Sequence, residues 1–118
     1  MKYMLLMYMD EKAINEAERA QCYADSVKLC QDLNAEGKFL GANPLHFVST
    51  ATSLRMREGK RLVTDGPFAE TREQLGGYFL IDAKDLDEAI SIAGRTPGSR
   101  WGTVEIRPVM EIAGVPEV

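Results

Sequence analysis

One histidine, one tryptophan and two cysteines are all that 118 residues offer of the side chains that most often ligate metals, line aromatic cages or form disulfides. The lone His46 excludes a multi-histidine metal centre within one subunit. Cys22 and Cys30 lie on a segment with helical spacing, where a rise of about 1.5 Å per residue puts them about 12 Å apart, too far for a disulfide. Both are expected to be free thiols in a reducing compartment. Positive charge is scarce too. Lys and Arg total 14 against 18 Asp and Glu, a net charge of −4, which argues against a nucleic acid or a membrane surface as partner. The longest apolar run, residues 3–9, is far short of a bilayer span and lacks the flanks of a secretion signal, so a cytoplasmic location is expected. Also missing are Cys-x-x-Cys, the phosphate-binding GxxxxGK[ST], His-Glu-x-x-His and G-x-S-x-G, which removes most support for metal, nucleotide and nucleophile chemistry. No cofactor and no metal are expected.

What is present is ordinary globular material: 45% hydrophobic and 27% charged residues, in a length that supports one domain over residues 1–118 and not two independent cores. Tyr3-Met-Leu-Leu-Met-Tyr-Met9 is apolar on both alternating faces, as a central strand is. From Lys12 to Glu36, Ala13, Ala17, Ala20, Tyr23, Val27, Cys30 and Leu33 recur at steps of three and four, predicting one long helix with Asp10 as N-cap and Gly37 as the left-handed stop. Phe39 to Val48, broken by Gly41, Asn43 and Pro44, reads as a strand end and a loop. Thr50 to Glu58 and Arg61 to Val63 flank Glu58-Gly59 and predict a hairpin, which Asp65-Gly66-Pro67 ends. A polar connector, Phe68 to Leu75, leads to a second double-sided strand, Tyr78 to Ile81. Asp85 then caps a short helix stopped by Gly94 and Pro97. Thr103 to Val109, with one wet face and Pro108, reads as an edge strand.

The order is β-α-β, hairpin, β-α-β: an α+β, ferredoxin-like split βαβ sheet with a hairpin insertion, whose first and third main strands are central. Both of those strands are apolar on the face that two helices leave open. A second copy of the chain is the economical cover.

Several residues are candidates for chemistry. Asp65-Gly66-Pro67-Phe68 is either a turn whose carboxylate caps local amides or a hinge that aims Asp65 into a cavity beside a rigid Phe68. Glu70 and Glu73, three apart, would share one face of a helical turn, where mutual repulsion raises a carboxyl pKa toward general-acid duty; the alternative is a solvated turn. His46 is either a loop imidazole or a second acid or base. Arg55, Arg57, Lys60 and Arg61 form the one local basic patch, a solvated face or a seat for an acidic ligand. Tyr8 and Tyr78 belong either to core packing or to substrate orientation.

Asp65-Gly-Pro-Phe-Ala-Glu-Thr71 resembles the motif of the DGPF branch of the YCII-related family. Tyr3-Met-Leu-Leu-Met7, Glu73-Gln-Leu-Gly-Gly-Tyr78, Asp85-Leu-Asp-Glu-Ala89 and Val104-Glu-Ile-Arg-Pro-Val109 extend the resemblance over nearly the whole chain. It implies a ferredoxin-like subunit paired into a dimeric α/β barrel, an architecture shared with muconolactone isomerases and small monooxygenases. The wider family carries a proposed His-Asp pair whose histidine lies on the first helix. Lys12 to Glu36 contains no histidine, so that pair does not carry over. Ser53-Leu54-Arg55 stands where Thr-Val-Arg is commoner, and Arg72 where Lys is. Two functions are implied. One is a metal-independent enzyme doing acid-base chemistry on a small organic substrate, with Asp65, Glu70 and His46 moving protons and Tyr78, Tyr8, Phe68 and Arg55 binding. The other is a ligand-sensing or partner-binding module tied to an extracytoplasmic-function sigma factor.

Overall fold

The computed structural model describes residues 1–117. Four strands form one antiparallel sheet: β1 (Lys2–Met9), β2 (Phe39–Pro44), β5 (Gln74–Asp82) and β6 (Thr103–Pro108), in the order β2-β5-β1-β6. The helices are α1 (Glu16–Ala35), α2 (Leu86–Gly94) and the single turn α3 (Gly98–Trp101). Strands β3 (Thr52–Arg57) and β4 (Lys60–Asp65) pair only with each other. This is the ferredoxin-like α+β arrangement expected from the sequence, with β1 and β5 at the centre and the hairpin set between β2 and β5.

Local chemistry explains most boundaries. Asp85 accepts a hydrogen bond from the Glu88 amide at 2.9 Å and opens α2. Gly37 at φ +75° follows the end of α1 in the left-handed conformation that a side chain disfavours. Glu58 and Gly59, both at positive φ, make the tight turn of the β3–β4 hairpin.

Two expectations need correction. Helix α1 begins four residues later than predicted, capped by Asn15 and not Asp10. The Asn15 side chain accepts from the Glu18 amide at 2.8 Å, and Glu18 accepts from the Asn15 amide at 3.0 Å, a reciprocal box. Asp10 instead accepts from the Lys12 amide at 3.0 Å and faces Arg72 at 3.5 Å. The buried stripe of α1 is also rotated. Cys22, Leu29 and Leu33 are buried, whereas Tyr23 and Val27 are 46% and 56% exposed. Leu33 is buried as the expected stripe has it, but Leu29, outside that stripe, is buried with it; the two leucines bury far more apolar area than the stripe's alanines, so they set the helix's rotation.

The core lies between the helices and one face of the sheet, where Tyr3, Leu5 and Met7 of β1 meet Phe79 and Ile81 of β5, Leu29 and Leu33 of α1, and Ala89 and Ile92 of α2. On the other face Met4, Leu6 and Tyr8 stand beside Tyr78 and Leu80, all only half-buried. The molecule is a slab 47 × 43 × 22 Å with 8531 Å² of accessible surface. A folded monomer of this mass typically exposes about 6,400 Å², so roughly 2,000 Å² more is bare than a self-sufficient globule leaves.

Candidate functional site

The register creates a cleft on the helix side of the sheet. Met7 of β1 lies opposite Gly77 of β5, and Gly77 opposite Pro44 of β2, so this row has no side chain at its centre. Gly77 is required there: a Cβ would meet the Asn43 carbonyl oxygen at 2.9 Å and Pro44 Cα at 3.2 Å. Above the row, α1 contributes the small side chains Cys22, Ser26 and Cys30. Gly98 of α3 closes one end against Met7, whose Sδ lies 2.7 Å from where a Gly98 Cβ would stand. The resulting space is about 210 Å³, rimmed by the exposed Tyr23 and Val27.

Its chemistry is overwhelmingly apolar. The polar side-chain atoms of α1 among its lining residues are the Ser26 and Tyr23 hydroxyls and the two thiols. Both cysteines are free, and burial pushes both thiols up from their ordinary pKa, so neither is a ready nucleophile. Among the described residues no cluster of His, Cys, Asp or Glu suits a metal ion, and no helix is long and apolar enough to cross a membrane.

The residues singled out from the sequence do not come together in one site. Asp65 ends β4 and Glu70 lies in the connector, both exposed; His46 lies in the loop after β2, also exposed. None of the three lines the cleft, and no hydrogen bond or ion pair links them among the described residues. The expected helical turn over Glu70 and Glu73 is absent, because residues 66–73 are irregular; Glu73 instead accepts from Thr103 Oγ1 at 2.8 Å. Gly66 at φ +109° turns the chain there, its amide donating to Ala51 and its carbonyl accepting from Ser53 Oγ, both at 2.8 Å. Arg55 and Phe68 do meet: the guanidinium sits 5.0 Å from the ring centroid.

Tyr78 borders the cleft, but its side chain stands with Leu6 on the open face, where its hydroxyl accepts from Asn43 Nδ2 at 3.0 Å. Tyr8 donates to Glu105 across the open face at 3.4 Å. Sequence reasoning passed over Gly77, Ser26 and Gly98. A glycine pair inside an otherwise apolar strand, Gly76-Gly77, signals a close backbone approach and marks the spot.

A second groove, about 410 Å³, lies on the open side, where the chain after β6 passes Leu40 and Leu80 and is tied by Lys2 to Glu111 at 3.1 Å. It is part of the uncovered sheet face.

Comparison with known proteins fits this architecture. The chain is 36% identical, over 118 residues covering 92% of each sequence, to an uncharacterized protein of Rhizobium meliloti (strain 1021). Residues 1–113 match the YCII-related domain, a span that takes in the whole sheet and all its helices, and the chain belongs to that family.

Proposed function

We propose that the protein is a homodimeric small-molecule-binding protein of the DGPF branch, joined through the open face of its sheet as a dimeric α/β barrel and holding its ligand in the α1 cleft. The observation that carries the ligand reading is the missing side chain at Gly77, which leaves an apolar space between Met7 and the small residues of α1. An apolar cavity of about 150 Å³ accepts benzene and drug-sized pockets start near 300 Å³, so a space of about 210 Å³ suits a single ring or a short branched chain. Ser26 and Tyr23 offer such a molecule one or two hydrogen bonds at the rim. Binding is favoured over acid-base catalysis because Asp65, Glu70 and His46 lie outside the cleft, where a bound ring does not meet them. Occupancy of the cleft is then the signal passed to a partner, for which the resemblance names a sigma factor.

An NMR titration with indole and p-cresol tests this. Shifts should be confined to the α1 residues from Cys22 to Cys30 and to the glycines Gly77 and Gly98. They should vanish in Ser26→Phe, which fills the space, and persist in the triple variant Asp65→Asn, Glu70→Gln, His46→Ala. Shifts unaffected by Ser26→Phe would refute the cleft. Conversion of the probe with time, abolished in the triple variant, would restore the enzyme reading. Light scattering showing a monomer at micromolar concentration would refute the dimer.

A further inference from the structure

The β3–β4 hairpin stands apart from the core and the cleft, touching the following connector through Arg55 on the Phe68 ring. None of its residues joins the core, and its backbone ties to the rest of the chain are at its root, where Gly66 meets Ala51 and Ser53. A free two-stranded hairpin is marginal in water at best. The register divides it into two unlike faces. Leu54, Val63 and Met56, at 59%, 55% and 59% exposure, share one with Arg61 beside Met56 and with Thr52 and Asp65 at the root; Arg55, Arg57 and Lys60 share the other with Leu62. A cross-strand Leu-Val pair left bare on a ribbon with two open edges is a surface built to be covered.

We infer that this hairpin is an arm that packs its Leu54–Val63–Met56 face against a second copy of the chain. Charge favours that occupant. The arm carries four cations, Arg55, Arg57, Lys60 and Arg61, against Glu58 and Asp65, so it is positive, while the remainder of the chain is more acidic than the −4 of the whole. Of the four cations Arg61 shares the Leu54–Val63–Met56 face, so a two-fold pairing sets it against the acidic body of an identical neighbour while the other three stay on the outer face. Area favours it as well. Covering the roughly 2,000 Å² of excess surface on each of two copies makes an interface of about 4,000 Å² in total, within the range of obligate dimers.

The inference rests on the homodimer proposed above, and the arm's own trypsin sites separate the two. Cleavage after Arg55, Arg57, Lys60 and Arg61 is followed by mass spectrometry while light scattering reports the assembly at each concentration. The arm sites should be protected in the dimer and cleave about tenfold faster or more on dilution below the dissociation constant, because cleavage tracks the population of free arm. Leu54→Glu with Val63→Glu should remove the protection without altering the thermal unfolding of the body. A dimer whose arm sites are cleaved equally fast at every concentration overturns the arm and leaves the dimer standing; this is also the outcome if a different acidic partner is the occupant. A monomer at all concentrations overturns both.

Discussion

The two faces of the main sheet are made from the same kinds of residue and have opposite fates. On β1, Tyr3, Leu5 and Met7 are buried under the helices while Met4, Leu6 and Tyr8, interleaved with them, stay half-open. The chain after β6, with Met110 and Ile112 83% and 63% exposed, passes the open side without sealing it. Apolar character therefore sets which strands are central, and the count of covering layers sets which side of them is dry.

The sharpest way to break this comparison is a pair of neighbouring substitutions. Leu5→Ala removes a fully buried side chain and is expected to cost about 2–5 kcal/mol in chemical denaturation. Leu6→Asp, one residue on, should leave the subunit folded by circular dichroism and shift the assembly to monomer by sedimentation. Equal loss of fold from both would erase the distinction between the faces.

The next effect is at the cleft. Gly77→Ala forces a Cβ against the backbone of β2 and is expected to cost about 1–3 kcal/mol. Gly98→Ala meets only the flexible end of Met7 and should cost less, although the approach there is nominally closer. A melting-temperature series on the two variants checks the order.

Smaller again is Asn15→Ala, expected to cost about 1 kcal/mol through the lost cap and box, against little change for Asp10→Ala. This pair also shows where the sequence was ambiguous. Asp10 and Asn15 are both good caps, and the reciprocal pattern with Glu18 was the cue that separates them. Strands β1 and β5, helix α2 and the Glu58-Gly59 turn were legible because each is signalled by its own residues. The cleft was not. It depends on Met7, Gly77 and Pro44 aligning across three strands and on a rotation of α1 set by Leu29 and Leu33, and neither relation is local in sequence.

The smallest expected effect is electrostatic. Arg95 clasps Glu36 with two hydrogen bonds, Nη1 to Oε1 at 3.1 Å and Nη2 to Oε2 at 2.8 Å, holding that carboxyl below its ordinary pKa. A depressed folded-state pKa contributes stability above the unfolded value, and the contribution is lost as pH falls through the folded one. Glu36→Gln should thus melt slightly earlier than wild type at neutral pH. The difference should close on acidification below about pH 4, where an unfolded-state glutamate takes up its proton. Both groups are solvent-exposed, so added salt should shrink it as well.

The central position of β1 has a consequence for how the chain comes into being. It is synthesised well before its two neighbours, β5, beginning at Gln74, and β6, ending at Pro108. At about 5–20 residues per second, some 5–20 s of translation separate it from its last partner. Until β5 is made, a strand apolar on both sides has neither edge paired, and one edge stays open until β6 follows. Non-local closure of this kind slows folding, and it makes Lys2–Met9 the segment that a chaperone has most reason to hold.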